Sequence, residues 1–309
     1  MKKWLLIGVL TVFFLAVFSQ KVMVANAATE NPVKVQVGVW LVNVEKVDLS
    51  ANSYILDFYL WFNYDPSEIT LVQIQQFEFI NGAPSTYVVD ADENRGYLEY
   101  RVRGTFIKTF DFSQYPFETH DLAVEIEHKS LDLSQMIFEV DSTSNIDPEA
   151  NVAGWNLGEF KTSIKEHSYS DKTFSRFVFG LNLKRPILSS FIKTVLPIAV
   201  ITTISLLAFL MAPQNFAQRI TLGVTTLLSA TAFHLSLLNG IPPTGYLTFA
   251  DKMMLSVYVI FLFNLSVSVY ITRFVEAKRM DDAVRVCRRS QRFLPVIIIV
   301  LIIIQAVAL

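Results

Sequence analysis

Hydrophobic and polar positions alternate in the first half of the chain and run together in the second half. Between about residues 33 and 185, short alternating or aromatic-rich runs are separated by turn-rich pieces such as Asn81-Gly82-Ala83-Pro84. Several short strands at this spacing are typical of a β-sandwich. After Arg185-Pro186 come four apolar runs, at about residues 191–211, 218–238, 253–275 and 293–309. Each is long enough to cross or nearly cross a bilayer as a helix.

The second apolar run differs from a lipid-facing helix because one of its faces carries hydroxyl groups. Thr221, Thr225, Leu228, Ala232 and Leu235 follow one another at spacings of four and three residues, which places them on one helical stripe. Small polar groups at one end and an apolar ring in the middle suit a water-filled pore that closes by dewetting. Packing against neighbouring helices is the alternative, since Ser and Thr are also enriched there. One helix cannot enclose a pore, so the first interpretation predicts an oligomer.

The start of the chain has the pattern of a secretory signal. A basic start and an apolar run precede the small-x-small sequence Ala25-Asn26-Ala27. We therefore predict a signal peptide at residues 1–27, with an uncleaved membrane helix as the alternative. The domains are then an extracellular β-sandwich at residues 28–185 and a four-helix transmembrane domain at residues 186–309. The fold class is an α+β membrane protein.

Charge is divided unevenly between the two parts. Residues 30–185 hold 24 Asp and Glu against 13 Lys and Arg, a balance of −11, and residues after 185 hold 4 acids and 10 bases. Most of these bases lie in or beside residues 276–291, which we predict to be a short cytoplasmic loop by the positive-inside rule. The N-terminal domain and the C-terminus then lie outside the cell (inner) membrane. An acidic exported domain argues against nucleic acid as a partner.

Cysteine and histidine usage argues against a disulfide or a metal site. Cys287 is the single cysteine of the chain, so no intrachain disulfide can form. No metal-ligand spacing occurs among Cys and His. We therefore predict neither a metal nor a cofactor.

One segment carries a family motif. The run from Tyr115 to Asp121 reads YPFETHD and resembles the [F/Y]-P-F-D-x-Q signature of the Cys-loop receptors, also called pentameric ligand-gated ion channels. Gly154-Trp155, Arg185, Pro197 and the segment at residues 241–246 resemble further motifs of that family in the same order. The resemblance covers almost the whole mature chain and is greatest to the bacterial branch, which lacks the disulfide.

The resemblance implies a homopentameric channel in membrane lipid, in which each chain has four identical subunits as partners. The stripe from Thr221 to Leu235 would line the pore, with Ala217, Gln218 and Arg219 at its cytoplasmic mouth. The Ala-x-Arg pattern at the mouth is similar to anion-conducting relatives, whereas the acidic outer domain concentrates cations. We expect conduction of monovalent cations, with anion conduction as the alternative.

The resemblance also implies a site for a small-molecule ligand between the outer domains of adjacent subunits. The candidates are Glu78, Phe79, Glu127, Tyr169 and Phe174 on one face, and Trp61, Tyr100 and Arg101 on the other. Aromatic rings with carboxylates suit an amine, whereas Arg101 permits a carboxylate ligand. His128 and His167 lie in the predicted ligand loops and leave proton gating as an alternative.

Four residues would couple the outer domain to the membrane domain by the same resemblance: Asp48, Glu118, Arg185 and Pro242. An arginine held between two carboxylates needs both partners to offset its desolvation. Removing Arg185 should therefore uncouple ligand binding from opening.

Two other classes of function compete with a channel. A membrane-tethered solute receptor that does not conduct would have no use for the Thr and Leu stripe. An enzyme is not predicted, because the sequence shows no nucleophile elbow, metal motif or phosphate loop.

Overall fold

The computed structural model describes residues 31–307, so the predicted signal peptide at residues 1–27 lies outside the described residues. Ten strands come first within this range. They are β1 (Val33–Asp48), β2 (Ser53–Asn63), β3 (Phe77–Phe79), β4 (Ser85–Asp92), β5 (Tyr97–Ile107), β6 (Thr119–His128), β7 (Met136–Val140), β8 (Asn145–Ile146), β9 (Asn156–Ser168) and β10 (Thr173–Lys184).

The strands form two sheets. One has the order β4-β5-β2-β1-β7, with β8 added to β1, and the other has the order β3-β6-β10-β9. The pairs are antiparallel except where β7 and β8 join β1. Alternation along β2 decides which face turns inward, because residues two apart share a face. Tyr54, Leu56, Phe58, Leu60 and Phe62 are accordingly buried.

Aromatic rings fill the space between the two sheets. The ring of Phe58 on β2 meets that of Phe179 on β10 edge to face, with 4.9 Å between centroids. The Phe62 ring lies 5.0 Å from that of Phe77 of β3 in a tilted arrangement, with 42° between the ring planes. Such pairs contribute about 0.5–1.5 kcal/mol each beyond the apolar area that they bury. The predicted β-sandwich is confirmed.

The helices follow the sandwich, apart from a single turn between β2 and β3. They are α1 (Leu71–Ile74), α2 (Ile187–Leu206), α3 (Phe216–Leu238), α4 (Phe249–Glu276) and α5 (Met280–Val307). The first three predicted spans start two to four residues after the observed helices α2 to α4. Hydropathy marks the apolar stretch, whereas a helix starts at its cap. For α4 that cap is a capping box between Thr248 and Asp251.

Three of these segments are long and apolar enough to cross a membrane. They are Ile187–Leu210, Pro213–Leu238 and Phe249–Glu276, judged by length and composition within the described residues. The first includes Pro197, and it ends in a 3₁₀ turn at Leu207–Leu210. Residues 293–307 of the fourth predicted span form the apolar second half of α5, and its last two residues lie outside the described range.

The segment predicted to be a cytoplasmic loop, residues 276–291, is mostly helical in the structure. The break between α4 and α5 is limited to the three residues 277–279, where Lys278 adopts a left-handed φ of 58°. Asp281 and Asp282 then lie in the first turn of α5, where carboxylates stabilise a helix N-terminus. Ala283 and Cys287, one turn apart, are buried with Ile271 of α4. Clustered charge suggested a loop, but this amphipathic pattern favours a helix.

Candidate functional site

The predicted pore stripe lies on the exposed face of α3. Thr221, Thr225, Leu228, Ala232 and Leu235 are all exposed in the single chain. Leu228 keeps 66% of its surface accessible and Leu235 keeps 58%. The stripe therefore takes no part in packing among the described residues of the subunit.

The opposite face of α3 packs against the other helices of the same subunit. Gly223, Thr226 and Ala230 on this face are buried. The Thr226 hydroxyl donates to the carbonyl of Leu222 at 2.9 Å, so the polar group is satisfied within the helix. The two faces of α3 thus have different environments, although hydroxyl groups occur on both.

Arg219 does not belong to the pore mouth, which corrects the sequence prediction. Its helical phase places it on the face of Gly223, and its side chain is fully buried. Its Nη1 donates to the Met211 carbonyl at 3.4 Å and lies 3.6 Å from the Cys287 sulfur. Ala217 and Gln218 are exposed as predicted. The exposed end of α3 is therefore uncharged.

His234 connects α3 to α4. Its Nε2 lies 3.0 Å from the Asp251 carboxylate and its Nδ1 lies 3.0 Å from the Tyr258 hydroxyl. Both partners belong to α4, so the imidazole ties the outer half of α3 to its neighbour in the same subunit.

The predicted ligand loops enclose a buried ion-pair network. Glu127 on β6 is almost fully buried, and Arg176 on β10 donates to it from Nε at 2.5 Å. The same guanidinium pairs with Glu125 at 2.5 Å. The hydroxyl of Tyr169 donates to Glu127 at 3.0 Å. The charge of Glu127 is therefore balanced by Arg176 within the subunit. The sequence analysis did not identify Arg176.

Two further candidates of this face divide between surface and core. Glu78 on β3 is exposed beside Glu127 in the strand register. Phe79, by contrast, packs inward, with its ring 5.8 Å from that of Phe106. The prediction that Phe79 contacts a ligand is wrong, because β3 turns this side chain into the sandwich.

Tyr169 and Phe174 do come together at the β9–β10 turn. Their rings meet edge to face at 5.7 Å, and Tyr169 remains 48% exposed. The ring of His167 lies 4.7 Å from that of Tyr169 on its other side. This aromatic cluster is accessible from outside the chain.

His128 has a structural role instead. Its Nε2 lies 2.9 Å from the Gln73 carbonyl, and its Nδ1 accepts from the backbone N–H groups of Ser130 and Leu131. Burial lowers the pKa of this imidazole below its usual value, against the opposing effects of the Gln73 carbonyl and the Glu78 charge.

The second set of predicted ligand residues lies on the six-stranded sheet. Trp61 faces outward from β2 and donates from Nε1 to Asp141 at 2.8 Å. Arg101 pairs with Asp57 at 2.5 Å and lies over the Tyr59 ring at 4.3 Å. None of the contacts among the described residues joins this set to Tyr169 or Glu127. A pocket that uses both sets needs a second copy of the chain.

Tyr100 is a second misplaced ligand candidate. It lies on the inner face of β5 and is buried, with its ring 5.2 Å from that of Phe77. Arg101, the next residue, takes the outer face because strand residues alternate.

Arg185 and Glu118 meet where the sandwich joins the membrane helices. The Arg185 Nε donates to a Glu118 carboxylate oxygen at 2.5 Å, and Glu118 is almost fully buried. The guanidinium also lies over the Trp155 ring at 4.7 Å and the Tyr115 ring at 5.6 Å. Burial acts to raise the pKa of Glu118, but the neighbouring His120 and Arg185 outweigh it and hold that pKa below the usual value.

Asp48 does not provide the second carboxylate for Arg185. It lies at the end of β1 and pairs with Lys46 at 2.8 Å, while its other oxygen accepts from Ser50 at 2.8 Å. These bonds lower the pKa of Asp48 to about 2. The predicted arginine between two carboxylates is therefore wrong for this chain, because Asp48 is occupied within its own turn.

The connection between α3 and α4 supplies most of the remaining contacts at this junction. Pro242 is half-buried in it. The Tyr246 hydroxyl accepts from the N–H of Phe112 at 2.8 Å and donates to Asp111 at 3.1 Å. The N–H of Phe249 donates to the Ser113 carbonyl at 2.9 Å. Tyr246 is a junction residue that the sequence reading did not single out.

Known proteins resemble this chain over both of its parts. The family model of the neurotransmitter-gated ion-channel transmembrane region matches residues 194–297. A proton-gated ion channel of Gloeobacter violaceus is 23% identical over 304 residues, covering 90% of this chain and 83% of the relative. The gamma-aminobutyric acid receptor subunit pi of Bos taurus is 20% identical over 75% of this chain, which spans 59% of that relative's length. The pH-sensitive chloride channel 2 of Drosophila melanogaster is 27% identical over 53% of this chain and 33% of its own.

The fold and these relatives are those of integral membrane channels opened by a ligand, and such channels are not enzymes. The matched transmembrane region and these relatives support a channel of the Cys-loop receptor family, the pentameric ligand-gated ion channels. Members of this family assemble as pentamers with an extracellular ligand-binding domain.

Proposed function

We propose that this chain forms a homopentameric channel for monovalent cations, opened by a small extracellular amine that binds between subunits. Its place is the cell (inner) membrane, with the β-sandwich and the C-terminus outside the cytoplasm. The observation that carries the proposal is the exposed stripe of α3, which has threonines at one end and two leucines further along. A ring of five Leu228 side chains would be apolar enough to exclude water when narrow.

Cation conduction is supported by the charges along the expected ion path. Arg219 is buried inside the subunit and contributes no charge to the surface of the α3 end, where Ala217 and Gln218 are exposed. The outer domain carries eleven more acids than bases over residues 30–185. An acidic vestibule raises the local concentration of cations. Anion conduction is the alternative, and it would require the pore itself to outweigh the vestibule.

An amine fits the ligand loops better than a carboxylate does. Arg101 is already paired with Asp57, and Arg176 with Glu125 and Glu127. Glu78 is exposed and forms no ion pair among the described residues. The exposed ring of Tyr169 adds a face for cation–π attraction. An ammonium group would therefore meet both an acid and an aromatic ring.

Proton gating is a second candidate function, favoured by His120 at the junction. This imidazole is buried among the rings of Phe110, Phe112 and Trp155. Its Nε2 has no hydrogen-bond partner within residues 31–307 and lies 3.8 Å from a Glu118 oxygen. Among the described residues, the carboxylates of Glu118 and Asp111 interact with it, and Glu118 in turn binds Arg185. Protonation would place a new positive charge beside Glu118, where it would compete with Arg185.

Currents through the purified protein in a planar bilayer test both candidates. We expect primary amines to open the channel at constant pH, and Glu78→Gln to weaken their action. Protons rather than amines open the channel if pH steps alone produce a current. In that case His120→Gln should abolish the response to pH, and His128→Asn should not. Silence under amines, carboxylates and pH steps, together with silence of Leu228→Ala, would contradict the channel and favour a non-conducting receptor.

A further inference from the structure

A small cavity lies beneath the sandwich, at the point where α2 begins. Its volume is about 250 Å³. Tyr115, Pro116 and Arg185 line it from above, the first two turns of α2 from below, and Leu237 of α3 from the side. No Asp or Glu is among its lining residues.

Two cations reach this cavity with free donor groups. Arg185 uses its Nε for Glu118, and neither of its Nη atoms has a hydrogen bond within the described part of the chain. Lys193 lines the lower wall and is exposed, and no ion pair of its ammonium group occurs among residues 31–307. Lys193 lies in the second turn of α2, near the end of the helix, where a lysine can extend its ammonium group to the membrane interface.

Two largely buried residues of α2 also present their hydroxyl groups to the cavity. Ser190 and Thr194 lie one turn apart on α2 and line the cavity, with only 7% and 4% of their surfaces exposed. Neither side chain makes a hydrogen bond to the rest of the described chain. Both hydroxyl groups are therefore available to bind a polar group in the cavity, since each can donate one hydrogen bond and accept others.

The beginning of α2 adds a partial positive charge. This helix of 20 residues has Pro186 at its N-cap, no side-chain cap and no acidic residue in its first turn. Its first N–H groups therefore lack the acceptors that a capped helix would have, and the helix dipole favours an anion there.

We propose that this cavity, which we term the junction cavity, binds a phosphate group through Arg185, Lys193, Ser190 and Thr194. The free Nη pair of an arginine matches the geometry of phosphate oxygens, and an ammonium group and two hydroxyls can serve the remaining oxygens. The group can come from the headgroup of an anionic lipid in the outer leaflet or from free phosphate, since α2 enters the membrane at this level. Binding itself is independent of the proposed function. Only its effect on opening, through the Arg185–Glu118 pair, rests on that function.

Thermal stability of the intact purified protein tests the site without any current. The protein is held in a neutral maltoside detergent and titrated with either sodium phosphate or soluble short-chain phosphatidylglycerol. Sodium chloride at matched ionic strength and short-chain phosphatidylcholine serve as the two references. A ligand that binds the native state raises the unfolding temperature in proportion to the logarithm of its concentration over its Kd.

We expect Lys193→Gln to lower the affinity for the stabilising probe roughly tenfold, as for the loss of one charge-assisted hydrogen bond. Lys193→Arg should restore it. Lys165→Gln, which removes an exposed charge on β9 away from the cavity, should leave it unchanged. Ser190→Ala provides a second variant should Lys193→Gln elute as misfolded protein in size-exclusion chromatography.

Stabilisation by phosphatidylglycerol alone, lost in Lys193→Gln, identifies the lipid headgroup as the source. A higher unfolding temperature in sodium phosphate than in sodium chloride of matched ionic strength identifies free phosphate as the source. The proposal is overturned if wild type, Lys193→Gln and Ser190→Ala respond equally to both probes. If the three proteins respond equally and the wild type conducts normally, phosphate binding in the junction cavity is refuted and the channel function is not. If the protein binds phosphate but does not conduct, the channel function is refuted and phosphate binding is not.

Discussion

At the scale of single residues, the structure assigns the charged side chains to fixed partners. Arg176 holds Glu125 and Glu127, Arg101 holds Asp57, and Arg185 holds Glu118. Partly buried pairs of this kind are costly to break, because the remaining partner is left as an uncompensated buried charge. The acids and bases that remain free are therefore the informative ones for binding.

Arg185→Ala should uncouple ligand binding from opening. The substitution leaves Glu118 buried without its guanidinium, a change that costs about 3–5 kcal/mol in comparable buried pairs. We expect surface expression and ligand binding to persist while the maximal current falls at least tenfold. Paired binding and current measurements on the same preparation check this.

Asp48→Asn is the matched control for Arg185→Ala. Asp48 is bound within its own turn and forms no contact with Arg185, so its neutralisation should leave the current unchanged. A loss of current in Asp48→Asn equal to that in Arg185→Ala would contradict the assignment of Glu118 as the single carboxylate partner.

His128 should make the outer domain sensitive to acid. Burial holds its folded-state pKa below the usual histidine value of 6.5, so below that pH the unfolded chain binds more protons than the folded chain. Stability is then lost as the pH falls from 6.5 through the folded-state pKa. In His128→Asn the amide oxygen replaces Nδ1 as acceptor, at a cost of about 1 kcal/mol for the lost bond to Gln73.

The measurement for His128 is the unfolding temperature of the full-length protein between pH 7.5 and pH 5. We expect His128→Asn to start lower at pH 7.5 and to fall less steeply than wild type on acidification. His167→Asn, at the half-exposed aromatic cluster, should follow wild type. Equal slopes for His128→Asn and wild type would show that the acid sensitivity has another origin.

At the scale of elements, α3 separates two environments on one helix. Its buried face contains Arg219, Gly223, Thr226 and Ala230, and its exposed face contains the Thr and Leu stripe. Thr226 lies next to Thr225 in sequence but bonds its own helix on the buried face. Helical phase, rather than residue type, decides which hydroxyls are available to line a pore.

Leu228→Ser should make the channel open without ligand. A ring of hydroxyls in place of leucines would hold water and lower the free-energy barrier to wetting of a narrow pore. We expect a standing current in the absence of any opener, measured in the planar bilayer. The control is Leu262→Ser on α4, where the leucine is similarly exposed at 57% but lies on another helix. A standing current in both variants, or in neither, would argue against Leu228 as the constriction.

The sequence predicted well those elements that have a regular alternation or a long continuous run of apolar residues. Alternation along β2 and the apolar length of α2 to α4 are local properties of the chain, so they could be read directly. The start of α5 could not be, because its basic residues resemble a loop until the burial of Ala283 and Cys287 against α4 is known. Long-range packing decides such cases.

The candidate sites divide in the same way. The stripe from Thr221 to Leu235 follows from helical spacing alone, and it is exposed throughout. Phe79 and Tyr100 were misassigned because a strand residue can face either side, and only the sheet packing shows which. Arg176 was missed because its pairing with Glu127 depends on the register of β10 against β6, across 49 residues of sequence.

At the scale of the whole molecule, the single chain leaves its functional surfaces incomplete. The stripe of α3 has no cover, and the two sets of ligand residues lie on different sheets without contact within the described chain. In the proposed pentamer both would be completed by further copies around a central axis, which is how members of the family assemble. The proposed pore and ligand pocket are thus two consequences of one assembly.

The charge of that assembly follows from the chain. Five outer domains, each with a balance of −11 over residues 30–185, would surround the outer entrance of the pore. The cytoplasmic end of α3 exposes Ala217 and Gln218, and its one arginine is buried. A long-range negative potential with no opposing positive ring concentrates cations along the ion path.

The central claim is tested most directly by the reversal potential of the open channel. The purified protein is placed in a planar bilayer under an asymmetric NaCl gradient and opened with a primary amine or, failing that, through Leu228→Ser. We expect a gated current that reverses near the sodium potential. Reversal near the chloride potential would contradict cation conduction and show that the pore, rather than the acidic outer domain, sets selectivity.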